Sequence, residues 1–144
     1  MLVVLDGCSL TLTDEQRNKG FGNIGGRGEQ AQGVKVTNTV ALNTQGEVLG
    51  FPAQRYSVRT GPAKRHGYRP AHGRESVHWR LAVAGVSDRF AFLAQKARLH
   101  FIADCEADAS LPPRHSLQLG NDFTIRAYGT RTLRLGGRRV GLRP

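Results

Sequence analysis

Two aspartates each close an apolar run that reads as a β-strand: Leu2-Val3-Val4-Leu5-Asp6 and Leu99-His100-Phe101-Ile102-Ala103-Asp104. A carboxylate beside a buried strand is costly unless a partner stabilises it. Carboxylates that neighbouring strands bring together are a common starting point for a Mg²⁺ or Mn²⁺ site. Asp6 and Asp104 are therefore the candidate metal ligands. The 144 residues carry a formal net charge of +10, with 21 Lys and Arg against 11 Asp and Glu, so an anionic partner for such a metal is expected.

The basic residues are unevenly spread. Val48 to Arg74 contains Arg55, Arg59, Lys64, Arg65, Arg69 and Arg74 and no acid; Phe123 to Pro144 contains six more arginines, again without an acid. Acid-free basic blocks suit a phosphate backbone, whose condensed counterions are released on binding. With a pI near 10.8 they favour DNA or RNA as partner over an acidic protein. Arg55, Arg59, Lys64, Arg65 and Arg69 are the candidate DNA contacts of the first block. No run approaches the roughly 20 apolar residues of a membrane span, and the N-terminus lacks the pattern of a signal peptide. The two cysteines, Cys8 and Cys105, are too few for a disulfide framework or a zinc site. A cytoplasmic protein without a membrane partner is expected.

The elements that must position the aspartates follow from periodicity. Leu2–Leu5 is a continuous apolar run, as in a central strand buried on both faces. The Gly-rich stretch 13–33 reads as a loop and has no P-loop pattern. Val34–Leu42 alternates, Asn43-Thr44-Gln45-Gly46 is a turn, and extended structure resumes at Val48–Phe51 and Tyr56–Val58. The basic stretch 60–74 is a second loop. A helix opens at Arg74-Glu75-Ser76, with the apolar stripe Trp79, Val83, Val86, Phe90, Leu93, Ala97. The strand ending at Asp104 follows. A second helix begins near Glu106 and is interrupted or restarted at Pro112-Pro113. Asp122–Tyr128 alternates as a last strand, and 129–144 is a basic Gly/Arg-rich tail. The order β-β-β-α-β-α-β returns the chain by a right-handed crossover, so that the Asp104 strand lies parallel to and beside the first. Both acids then lie at the carboxyl edge of an α/β sheet, the edge at which ligands bind in open sheets.

Four motifs in this order resemble the DDE transposases of bacterial insertion sequences. Val4-Leu5-Asp6-Gly7-Cys8-Ser9-Leu10 resembles their first-aspartate strand, and Glu75-Ser76-Val77-His78-Trp79 their Glu-Ser-x-x-Trp helix. Phe101-Ile102-Ala103-Asp104-Cys105-Glu106-Ala107-Asp108 resembles their second-aspartate motif, and Phe123-Thr124-Ile125-Arg126 their Phe-Val-Val-Arg strand. The resemblance covers Val4 to Arg126. It implies an α/β, RNase H-like fold with a mixed five-stranded sheet over residues 1–128. Gly7 and Cys8 stand where the family has hydroxyl residues, Cys105 where it has arginine, and Thr37-Asn38 where it often has His-Ser. The family's third carboxylate lies on a later helix, within a Tyr-x-x-Arg-x-x-x-Glu-x-x-x-Lys segment that is missing here. The expected core therefore lacks the last catalytic helix and, with it, a cover for one sheet face.

The resemblance implies metal-dependent cleavage and transfer of DNA strands at transposon ends, with two Mg²⁺ or Mn²⁺ ions flanking the scissile phosphate. Asp6 would bridge both ions, Asp104 would hold one, and Arg126 would contact a phosphate; the family's full-length members imply a homodimer. Without the third carboxylate, the expectation is a truncated and inactive remnant. Glu106 and Asp108 match acids that accompany the third carboxylate in the family, and either one completing the site would give a small RNase H-like nuclease instead. The remaining alternative is a non-catalytic basic nucleic-acid-binding module that owes nothing to Asp6 or Asp104.

Overall fold

A computed structural model describes residues 1–16, 18–24, 31–59, 76–93, 96–108, 111–127 and 131–141. The protein is α/β, with a mixed sheet and, among the described residues, two α-helices. β1 (Leu2–Thr11) and β3 (Gln32–Leu42) are the long strands and pair antiparallel along their whole length, from Leu2↔Leu42 to Thr11↔Gly33. β6 (His100–Ala103) lies parallel to β1 on its other side, and β7 (Asp122–Ile125) lies parallel to β6. The outer edge of β3 is lined by three short strands: β2 (Gly22–Asn23), β4 (Val48–Gly50) and β5 (Gln54–Ser57). β4 and β5 are one edge strand broken at Phe51-Pro52-Ala53. The break is held by Thr39, whose hydroxyl donates to the Ala53 carbonyl at 2.6 Å and accepts from the Ala53 N–H at 2.7 Å.

Side chains alternate across a strand, and the alternation gives this sheet two unlike faces. Val3, Leu5 and Phe101 project to one face, where α1 (Ser76–Arg89) buries Trp79, Ala82, Val83 and Val86 against them. α2 (Leu111–Gln118) packs on the same face over Phe123 and Ile125. The other face carries Leu2, Val4, Asp6, Cys8, Val40, Asn38 and Ile102, and among the described residues no helix covers it. No described helix is long and apolar enough to cross a membrane.

Several expectations are corrected in detail. β1 does not end at Asp6 but continues to Thr11, because β3 is long enough to keep pairing with it. The stretch 13–33 contains β2 and the start of β3. α1 ends at Arg89, and the chain tightens into a 3₁₀ turn at Ala91–Leu93, so Phe90 only borders the core and Ala97 is exposed. The second helix does not begin at Glu106. A separate 3₁₀ turn, Cys105–Ala107, precedes α2, and Pro112 and Pro113 fall in its first turn, where a missing N–H costs no helical hydrogen bond. The last segment holds a β-hairpin, β8 (Thr132–Leu135) and β9 (Arg138–Gly141), outside the main sheet. The start of α1 at Arg74-Glu75 and the loop 60–74 lie outside the described residues.

Candidate functional site

The β1–β6 ladder ends at the pair Leu5↔Ala103. The next residue on β1 is Asp6 and the next after β6 is Asp104, so the two acids continue the register as neighbours, on strands spaced by roughly 4.8 Å. By alternation from the buried Leu5, Asp6 projects to the uncovered face. It is exposed, and among the described residues its carboxylate has no hydrogen bond or ion pair.

Asp104 is more engaged. It leaves β6 with extended backbone (φ −83°, ψ −172°), and its Oδ1 accepts from the Glu106 N–H at 2.8 Å, capping the 3₁₀ turn. Its Oδ2 lies 3.7 Å from the Arg126 guanidinium. Arg126 follows β7, and its N–H donates to the Ala103 carbonyl at 3.1 Å, which fixes the arginine at the same sheet edge. The guanidinium also points a nitrogen at Cys105 Sγ, 3.7 Å away. Cys105 first, and the Asp104 charge after it, raise the Arg126 pKa above its ordinary value. The pair is exposed to solvent, so its attraction is screened and weak. A guanidinium is thus the cation that stands beside the second aspartate.

A polar network that sequence reasoning did not single out borders Asp6. Asn38 is its direct partner on β3. Asn38 Oδ1 accepts from Gln54 Nε2 at 2.7 Å, its Nδ2 approaches Cys8 Sγ at 3.6 Å, and the Tyr56 hydroxyl donates to Gln54 Oε1 at 2.6 Å. The signal for Asn38 was present in the alternation of β3, once the antiparallel register with β1 is counted from their paired ends. Gln54 gave no such signal, because the broken edge strand hides its own period.

Glu106 and Asp108 do not converge on the aspartates. Glu106 Oε2 lies 3.3 Å from where a Cβ on Gly7 would be, on the helix-bearing face, and the Trp79 ring lies 2.9 Å from the same point. Gly7 is therefore the residue that lets Trp79 and Glu106 close over β1. Asp108 is bound by Arg131, whose Nε donates to Oδ2 at 2.7 Å and whose guanidinium also meets the Asp108 carbonyl. Among the described residues no three His, Cys, Asp or Glu side chains gather as a metal-binding group.

The basic candidates divide. Arg126 joins Asp104. Arg55 is opposite Thr37 in the register, on the helix-bearing face, and Arg59 follows the end of β5; neither is brought to Asp6. Lys64, Arg65 and Arg69 lie outside the described residues. The cavity beneath Gly7, bounded by Lys35, Thr37, Ser57, His78, Trp79 and Glu106, is about 30 Å³, room for a water rather than a substrate. The sheet edge thus offers carboxylates on two neighbouring strands, that of Asp6 exposed and without a partner among the described residues, and that of Asp104 capping a turn beside an exposed arginine. No protein-family model matches the chain, and no curated protein matches it.

Proposed function

We propose that this chain carries an RNase H-like core of the DDE transposase type, which acts on DNA through a divalent ion held by Asp6 and Asp104. One observation carries the reading: the parallel ladder of β1 and β6 stops so that the next residue of each strand is an aspartate. The strand order, with three antiparallel edge pieces and β3 on one side of β1 and the parallel β6 and β7 on the other, supports it.

The residues fit a single weakly held Mg²⁺ or Mn²⁺. Mg²⁺ is commonly bound through one or two carboxylates, with water and substrate phosphate completing its shell. Asp6 offers an unengaged carboxylate. Asp104 offers Oδ2, on which a guanidinium already rests in the role of a cation. The bound ion would supply charge stabilisation at a phosphate oxygen and acidify a coordinated water. Asp6 would anchor and orient that ion, Asp104 would fix its second side through the rigid cap at Glu106 N, and Arg126 would turn from Asp104 to an incoming phosphate. With two carboxylates alone, ion binding is expected without rapid strand cleavage.

The test is a Mn²⁺ titration followed by electron paramagnetic resonance, on wild type and on Asp6→Asn and Asp104→Asn. Both substitutions should weaken ion binding by tenfold or more, about 1.4 kcal/mol. Equal binding by all three proteins would falsify the reading. Asp104 also supports a second reading. Both of its oxygens have protein partners, as in a structural cap, and a non-catalytic basic module needs no more. Salt-dependent DNA affinity unchanged by both substitutions, without ion binding, would establish that reading instead.

A further inference from the structure

We propose that the β8–β9 hairpin is a DNA-binding ribbon in which Arg134 and Arg139 together grip the backbone of a duplex. The two strands pair with Arg134 directly opposite Arg139 and Leu135 opposite Arg138. Like charges directly across a strand pair destabilise it. Among the described residues neither Arg134 nor Arg139 has a hydrogen-bonded or ionic side-chain partner, and both are exposed. No acid occurs from Phe123 to Pro144 to relieve them. The hairpin nevertheless holds this register, because its two-residue turn is Gly136-Gly137, with φ of 54° and 81°. Positive φ at both central residues is the requirement of the type I′ turn that suits the twist of paired strands. Two exposed, unpartnered arginines are thus held at directly facing positions of one short ribbon, and a phosphodiester is a ligand that can satisfy both.

The ribbon is also aimed. Arg131, at its root, is fixed to Asp108 through the side-chain oxygen and the backbone carbonyl. Two strands of four residues form a strip roughly 5 Å between strand axes and about 13 Å long, and the major groove of B-form DNA, about 12 Å wide, admits such a strip. The major groove of A-form RNA is too deep and narrow for it. The choice of DNA rests on the proposed function, whereas the anion-binding geometry does not.

The experiment is fluorescence anisotropy of the full chain with a short mixed-sequence DNA duplex, across a series of salt concentrations. Arg139→Glu places an acid opposite Arg134, so the hairpin gains a cross-strand partner while the ribbon loses its paired charge. This substitution should leave the melting temperature unchanged or higher. It should lower duplex affinity about tenfold or more at low salt, and it should flatten the dependence of log K on log salt by about one to two units. Arg131→Gln, which frees the root, should weaken binding with a smaller change in slope. Affinity and slope equal to wild type in Arg139→Glu would overturn the proposal, as would a wild type that ignores duplex DNA or prefers duplex RNA. Measuring the anisotropy in EDTA separates this proposal from the metal site: an inert ribbon there, with Mn²⁺ binding by the wild type intact, sinks only this proposal, whereas normal ribbon behaviour in a protein that binds no Mn²⁺ sinks only the metal reading.

Discussion

The two faces of the main sheet are made by the same strands and do opposite things. On one face, Val3, Leu5 and Phe101 meet Trp79, Ala82, Val83 and Val86 in a dry core. On the other, the same β1 presents Asp6 and Cys8 beside Asn38, and β6 presents His100, whose ring nitrogen lies 2.8 Å from the Thr124 hydroxyl. One residue of shift along β1 would exchange the two sets. The contrast teaches that the candidate site depends on the buried face for its position and contributes little to the stability of the fold. Substitutions on the helix-bearing face should therefore be read in melting temperature, and substitutions on the uncovered face in ligand binding.

The largest expected effect tests that division at its strongest point. Trp79 is buried in the core, its ring lies against Gly7 of β1, and it lines one cavity with Pro112, Pro113 and Ser116 of α2. Trp79→Ala should cost about 3–5 kcal/mol, seen as a loss of denaturant midpoint or as failure to fold. The matching change on the uncovered side, Tyr56→Ala, removes a ring that is 60% exposed and should stay within about 0.5 kcal/mol. Comparable losses from the two would mean that the uncovered face is packed in solution, and the contrast would fail.

Gly7 gives the next test, because it is the one β1 position where the helix-bearing face meets the edge of the site. A Cβ there would lie 2.9 Å from the Trp79 ring, so Gly7→Val should cost about 1–3 kcal/mol through overpacking. Its effect on Mn²⁺ binding at Asp6 should be minor in the fraction that remains folded. A selective loss of ion binding without loss of stability would show that the faces are coupled through β1. Thr39→Val follows in size. It strips the hydroxyl that serves both backbone groups of Ala53 in a fully buried place, and about 1–3 kcal/mol is expected in chemical denaturation.

The legibility of the molecule follows the same division. The apolar stripe of α1 was readable, because Trp79, Val83 and Val86 step at helical spacing; the division of β1 into two unlike faces was not, because Leu2–Leu5 is apolar throughout and read as buried on both, whereas only Val3 and Leu5 enter the core. The adjacency of Asp6 and Asp104 was readable too, because a right-handed crossover leaves few other places for β6. What failed was local chemistry. The strand was expected to stop at Asp6 because its apolar run ends there, but β3 keeps pairing with it as far as Thr11. The β8–β9 hairpin carried a Gly-Gly turn between extended residues, a usable signal that the density of arginine obscured. The partners of Asp104 and the direction of Glu106 were out of reach. A cap, a 3₁₀ turn and an ion pair depend on where three separate segments end, and no period records that.

The smallest expected effect bears most directly on what the uncovered face is for. Arg126 lies 3.7 Å from Asp104 Oδ2, and a metal ion and a guanidinium compete for that oxygen. If Asp104 is a ligand, Arg126→Gln should tighten Mn²⁺ binding in the absence of DNA. The gain should be less than about fivefold, because an exposed ion pair has little to give up. In the presence of duplex DNA the same substitution should act in the opposite direction, since the guanidinium would then be engaged by phosphate and its loss would weaken the ternary complex. If Asp104 serves only as a cap, Arg126→Gln should leave ion binding unaltered and lower DNA affinity alone, by one phosphate contact's share of the salt dependence. The sign change on adding DNA is thus what a metal site requires and a structural cap does not produce.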